Sequence, residues 1–303
     1  MTTQQSLPGL QFLDPAALAR IGNLELVART VVEGFLGGLH RSPHLGTSID
    51  FAEHRQYMPG DDIRRIDWRL YGRVDRYYIK EYEADTNTNF NVLLDVSKSM
   101  SFGSGAVTKL DYARTLSACL AYFANQQRDR VGLVTFDEDV REIVPPSAKH
   151  LPNVLHALAR AKPERGGDIE RVFRKLSEQF RRRSMLLVVS DFYEDPRKIL
   201  DAFAQLRGRG NDIMAFHVLD TAELEFPYDG ATSFEDLETG ERIPVIPEYL
   251  RDQYRTMIRA HVAEIERLCG DQGVDYALYD TSMPLDYALF NFLSRRQYLT
   301  RVR

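Results

Sequence analysis

Residues 91–100 read NVLLDVSKSM, and the fold class turns on how that stretch is read. Asn91–Leu94 is a short, mostly apolar strand ending in Asp95. A second run, Met185–Ser190 (MLLVVS), is apolar throughout and ends in Asp191. Apolar side chains at consecutive positions mean that both faces of a strand are buried, as in the centre of a parallel sheet. Helical patterns flank both runs. Lys109–Asn125 carries Leu110, Ala113, Leu116, Leu120 and Phe123 at helical spacing, and Pro196–Arg207 is a helix stopped by Gly208 and Gly210. Strands alternating with helices imply right-handed crossovers and a mostly parallel sheet covered on both faces.

Further elements extend the pattern. Val131–Phe136 and Asp212–Leu219 are strands, Val140–Val144 pairs back through the Asp137–Asp139 turn, and Asp275–Tyr279 is the last strand. Helices are expected near His150–Ala161, Ile169–Arg181, Pro247–Cys269 and Leu285–Tyr298. Glu223–Val245 breaks the alternation with turn-rich Tyr228-Asp229-Gly230 and Thr239-Gly240, which predicts a hairpin insertion at about 221–247. At the other end, Asp14-Pro15 starts a helix expected to run through Ala16–Leu39. Residues 40–60 read as irregular. Asp61–Glu83 mixes Arg64, Arg65, Arg69, Arg73 and Arg76 with Trp68, Tyr71, Tyr77, Tyr78 and Tyr82, and its end, Tyr77–Glu83, alternates like a strand. Asp61, Asp62, Asp67 and Asp75 lie among the arginines, so a salt-bridged layer packed on the main domain is expected there. The division is therefore residues 1–88, a helix and an Arg/Tyr-rich segment, and residues 89–303, the main domain.

Composition limits the function. The chain has 303 residues, 44% of them hydrophobic, enough for a sizeable core. A formal charge of −5 gives no global attraction to nucleic acid or anionic lipid. The two cysteines, Cys119 and Cys269, lie in helical stretches and read as buried thiols. With no secretory leader pattern at residues 1–10 and no apolar run of membrane-spanning length, the expected location is the cytoplasm. The seven histidines are scattered and no C-x-x-C occurs, which argues against zinc. Neither a G-x-S-x-G elbow nor a phosphate-binding G-x-x-x-x-G-K-[ST] loop is present.

Asp95 and Asp191 each follow an apolar strand and so fall on the carboxyl edge of the sheet, where ligands bind in such folds. Asp95, Ser97 and Ser99 place oxygen side chains at alternate positions, which face one way in an extended chain. One carboxylate and two hydroxyls, with Asp191 from the neighbouring strand end, suit a hard ion such as magnesium, or manganese or calcium. Neutral hydroxyls leave the ion short of negative charge, so it favours a further carboxylate from a partner.

On these residues the chain resembles a von Willebrand factor A-type domain. Asp95, Ser97 and Ser99 match that family's metal-ion-dependent adhesion motif, and Asp191 matches its second aspartate. The expected fold is then a doubly wound, mostly parallel six-stranded α/β sheet with an N-terminal helix, an Arg/Tyr-rich β layer and a hairpin insertion. More narrowly, FAEHRQYMPGDDIRRIDWRLYGRVDRYYIKEYE at Phe51–Glu83, DVSKSM at 95–100, LEFPYDG, FEDLETGE and DTSMPLDYAL resemble the bacterial family catalogued as domain of unknown function 58. That resemblance implies association with MoxR-type AAA+ ATPases in protein maturation or chaperoning. The adhesion motif also implies a threonine in the loop Glu164-Arg165-Gly166-Gly167-Asp168, where Gly167 stands instead. Two outcomes are open: the loop supplies no direct ligand, or Asp168 substitutes.

The expected function is a non-enzymatic adaptor. Asp95, Ser97, Ser99, Asp191 and Asp168 are its candidate metal ligands, and Lys98, Arg64, Arg65 and Trp68 its candidate partner contacts. Its partner would be a MoxR-type ATPase or that ATPase's client. Two alternatives remain open. A magnesium-dependent phosphohydrolase would need a charge clamp or acid/base, for which only Lys98 and Asp168 are at hand. A nucleic-acid adaptor would use the 61–83 segment, with binding that falls steeply with salt.

Overall fold

Strand β3 (Asn89–Asp95) is buried from Phe90 to Asp95, so it needs partners on both edges and helices on both faces. In the computed structural model it has both. The structure describes residues 15–18, 21–41, 53–57, 70–71, 76–81, 88–180, 183–237, 239–290 and 292. β3 pairs in parallel with β4 (Arg130–Phe136) on one edge and β6 (Ser184–Ser190) on the other. β7 (Asp212–Leu219) and β10 (Asp275–Asp280) continue the sheet beyond β6, and antiparallel β5 (Val140–Ser147) ends it beyond β4. The order of the six-stranded sheet is β10-β7-β6-β3-β4-β5, the von Willebrand factor A-like arrangement that the resemblance implied.

Alternate side chains divide the core into two layers. Leu93, Val134, Leu186, Val188, Ile213 and Ala215 face one way. They pack with Phe173 of α5 (Ile169–Gln179), Phe203 of α6 (Pro196–Arg207) and Ile265 of α8 (Pro247–Asp271). α3 (Lys109–Gln126) packs against β3 and β4, with α4 (Leu151–Arg160) beside it. Phe292 meets Phe90 of β3 and Phe123 of α3 edge-on, at 6.0 and 6.3 Å between ring centroids. Cys119 and Cys269 are buried free thiols, as expected. Among the described residues no helix is long and apolar enough to cross a membrane.

The chain leaves β3 toward β4 and later returns to the other side of β3 as β6. The connections from the carboxyl ends of β3 and β6 thus diverge, which opens a crevice between Asp95 and Ser190-Asp191. That crevice positions the site.

Three expectations are revised. The single helix over 16–39 is two: α1 (Pro15–Leu18) and α2 (Leu24–Arg41). Gly22 lies between them, and Asn23 starts the second by accepting from the Leu26 amide at 3.1 Å. The hairpin insertion begins later than expected. Residues Thr221–Glu225 form a helical turn, α7, capped by Asp220, and the strands are β8 (Thr232–Glu235) and β9 (Arg242–Val245). Phe226, in the left-handed region at φ 47°, stacks on Tyr254 of α8 at 4.5 Å and on Phe234 of β8 at 5.4 Å.

The third revision concerns residues 40–60. The chain divides into two compact units, Met1–Val32 with Thr88–Arg303, and Glu33–Asn87. In the smaller one, β1 (Glu53–Gln56) lies in the stretch read as irregular and pairs antiparallel with β2 (Tyr78–Glu81), the strand expected at Tyr77–Glu83. EHRQ has no apolar alternation of its own, so its strand form comes from its partner. Arg64, Arg65 and Trp68 lie outside the described residues.

Candidate metal centre

Asp95 ends β3 with its carboxylate almost wholly buried. One oxygen, Oδ1, accepts from the Ser97 amide at 2.8 Å, which turns the chain out of the strand. The other, Oδ2, accepts from Ser190 Oγ at 2.6 Å and so ties the end of β3 to the end of β6. Burial, then the negative charge of Asp191, push the Asp95 carboxyl up to about 7, against the hydrogen bonds from Ser190 and Ser97. The Ser97 and Ser99 hydroxyls stand 3.1 Å apart. The structure thus brings Asp95, Ser97, Ser99 and Asp191 to one crevice.

Asp191 does not stand alone. Lys109, at the first position of α3 and fully buried, places Nζ 2.7 Å from Asp191 Oδ2 and 2.7 Å from Glu223 Oε1. Burial works to lower the Lys109 pKa, but the two carboxylates outweigh it and hold the ammonium charged. Burial raises Glu223 against the pull of Lys109. Glu223 also accepts from the Asp220 amide at 2.8 Å, within the capping box of α7. Lys109 and Glu223 were not among the residues picked from the sequence. A signal was there for Lys109: a cation opening a helix opposes the helix dipole and implies a carboxylate partner.

The glycine loop lies on the other side of the metal loop. Its Arg165 carbonyl accepts from the Lys98 amide at 2.7 Å. Asp168 caps α5, its Oδ1 accepting from the Arg171 amide at 2.9 Å, so its carboxylate serves that helix. Gly167 has an ordinary φ, so it is not there for backbone freedom. Its open side faces the site: a Cβ there would stand 3.5 Å from Ser97 Cβ and 3.6 Å from Glu194 Oε1. Lys98 is half-buried in the short 3-10 turn Lys98–Ser101.

The donor set suits a small, hard divalent ion. Adjacent ligands of an octahedral magnesium or manganese lie about 2.9 Å apart, those of calcium about 3.5 Å. The 3.1 Å between the serine hydroxyls, also a hydrogen-bond distance, is nearer the smaller ion. Asp95 accepts from the Ser97 amide on Oδ1 and from Ser190 on Oδ2, and a carboxylate has about four lone-pair sites in all. Among the described residues no group of three or more His, Cys, Asp or Glu side chains is placed to hold a metal.

Behind the site, His217 of β7 is fully buried, and Tyr276 Oη lies 2.8 Å from its Nδ1. Burial lowers its pKa from 6.5 to about 3, against the pull of Asp191, with His261 and Lys109 adding to the lowering. The unfolded chain therefore binds this proton first. Its contribution to stability is complete above about 6.5 and is lost as pH falls toward about 3. Between pH 7 and 5 the folded chain also takes up the Asp95 proton, which opposes this loss, so the effect is read as a difference: in urea titrations His217→Gln is expected to gain stability relative to the wild type as pH falls. An unchanged slope in the variant would exclude His217 as the source.

The chain is similar to several uncharacterised relatives and to several solved structures. An uncharacterised protein from Mycobacterium tuberculosis is 28% identical over 264 residues, which cover 84% of this chain and 81% of the relative. A Mycobacterium bovis protein matches equally. The conserved hypothetical protein BatB from Bacteroides thetaiotaomicron superposes with TM-score 0.48 at 18% identity, over 69% of this chain and 98% of its own. A von Willebrand factor type A protein from Catenulispora acidiphila superposes with TM-score 0.32 at 14% identity, over 56% of this chain and 41% of its own. Residues 53–264 match the family model described as protein of unknown function DUF58, and the chain belongs to that family.

Proposed function

We propose that this protein is a non-enzymatic cytoplasmic binding module that holds magnesium at Asp95, Ser97 and Ser99 and captures a carboxylate of a partner through it. The observation that carries the reading is the buried Asp95 carboxylate at the switch point, beside Asp191 and two hydroxyls at the spacing of octahedral neighbours. An ion bound by one direct carboxylate and neutral hydroxyls keeps net positive charge, and a partner's Asp or Glu satisfies it. An open cleft of about 360 Å³ adjoins the site, lined by Gly167, Asp168, Glu170, Arg174, Glu194 and Lys198 among others. Its mixed charges suit a polar protein surface better than a single small anion. The partner we assign is a MoxR-type AAA+ ATPase or its client, from the family resemblance.

Capture of the purified cognate ATPase by the full chain is expected in magnesium and is lost in chelator or with Asp95→Ala. Equal capture in all three conditions would exclude the metal bridge.

A further inference from the structure

The loop after β6 carries a second acid that the motif does not use. Asp191 leads into Phe192, whose φ of 46° is left-handed, an uncommon state for an aromatic residue. Three contacts hold it there. The Phe192 amide donates to Ser190 Oγ at 3.0 Å, its carbonyl accepts from His261 Nε2 at 2.9 Å, and its ring packs edge-on against Phe203 at 5.9 Å. The turn brings Glu194 back to the glycine loop, where Oε1 accepts from the Ile169 amide at 2.7 Å. That oxygen and Ser97 Oγ both lie within 4 Å of the point where a Gly167 side chain would begin, at 3.6 and 3.8 Å.

We propose that Glu194 supplies the oxygen ligand that Gly167 lacks, so that the site closes on its own carboxylate. The inference rests on the metal reading above. A side chain at 167 would begin in ordinary contact with both Ser97 and the Glu194 carboxylate, and in this chain the carboxylate faces the place left open beside Ser97. Asp168, the substitute open from the sequence, caps α5 with Oδ1, whereas Glu194 reaches the Gly167 position from the loop after β6. Partner capture then becomes an exchange of one carboxylate for another at the ion. No net charge is gained or lost, and the site rests in a closed state until a partner's acid displaces Glu194.

Manganese titrated calorimetrically into the full chain tests this, with melting curves to confirm folding. Glu194→Gln keeps an oxygen to accept from the Ile169 amide, so a purely capping role leaves affinity unchanged. A ligand role weakens manganese binding by about tenfold, and a loss smaller than about fivefold overturns the proposal. Adding Gly167→Thr to Glu194→Gln puts a hydroxyl into the same space, with ordinary contact distances to Ser97. Recovery of affinity is expected, and no recovery overturns the proposal that Glu194 stands in for a side chain at 167. Asp95→Ala separates the two levels. If it binds manganese like the wild type, the metal site itself is wrong. If it loses binding while Glu194→Gln does not, only the role of Glu194 falls.

Discussion

Asp95→Asn is expected to raise the melting temperature in chelator and to abolish its rise in excess magnesium. Without an ion, the folded chain binds the Asp95 proton more tightly than the unfolded chain, about 7 against 3.8. A group raised in this way contributes stability below its unfolded pKa and loses it as pH climbs through the folded value. At pH 8 the ionised carboxylate therefore works against folding, buried beside Asp191. Asparagine removes that charge and keeps one acceptor, so the variant melts a few degrees higher. With magnesium the order reverses. An ion at about 100 times its Kd stabilises the folded state by about 2.7 kcal/mol. At roughly 2–4 °C per kcal/mol for a large domain, the wild type gains about 5–10 °C. The variant, without a full anionic ligand, gains none. Wild-type curves that superimpose in magnesium and chelator would sink the reading.

Lys109→Met has the larger effect on folding. The ammonium is fully buried between two carboxylates at 2.7 Å. Removing one partner of a buried pair typically costs about 3–5 kcal/mol, because the other charge stays behind without compensation. A fall in melting temperature of roughly 6–20 °C follows. Glu223→Gln added to Lys109→Met removes one stranded carboxylate, and the pair of changes is expected to cost less than their sum by about 1 kcal/mol or more. Additive losses would mean that Lys109 and Glu223 do not act together. Moderate salt is expected to leave the Lys109→Met effect intact, since buried charges are poorly screened.

The sheet was legible because burial on both faces writes itself as consecutive apolar residues. Met185–Ser190 and Val131–Phe136 give their strands within a residue, and α6 and β7 match at both ends. β1 was not legible, since Glu53–Gln56 takes its form from the strand it meets. The break at Gly22 was passed over because apolar spacing resumes on both sides of it. For the site, the chain positions of Asp95, Ser97, Ser99 and Asp191 were enough, because the edge of a parallel sheet is set by strand direction alone. Glu194 and Glu223 were hidden for a different reason. Their approach depends on the left-handed turn at Phe192 and on the α7 cap, neither of which has a glycine or proline to announce it.

The bond between Ser190 and Asp95 joins residues 95 apart in the chain. During synthesis at about 5–20 residues per second, the ribosome takes roughly 5–20 s to travel from one to the other. Throughout that interval β3 has one of its two edges open, and Asp95 lacks both the hydroxyl and the neighbouring carboxylate that define its surroundings. The crevice comes into being only when β6 docks, after more than half of the chain has been made. If the crevice captures a partner as proposed, a nascent chain cannot recruit it early, and competence to bind reports that the centre of the sheet has been completed.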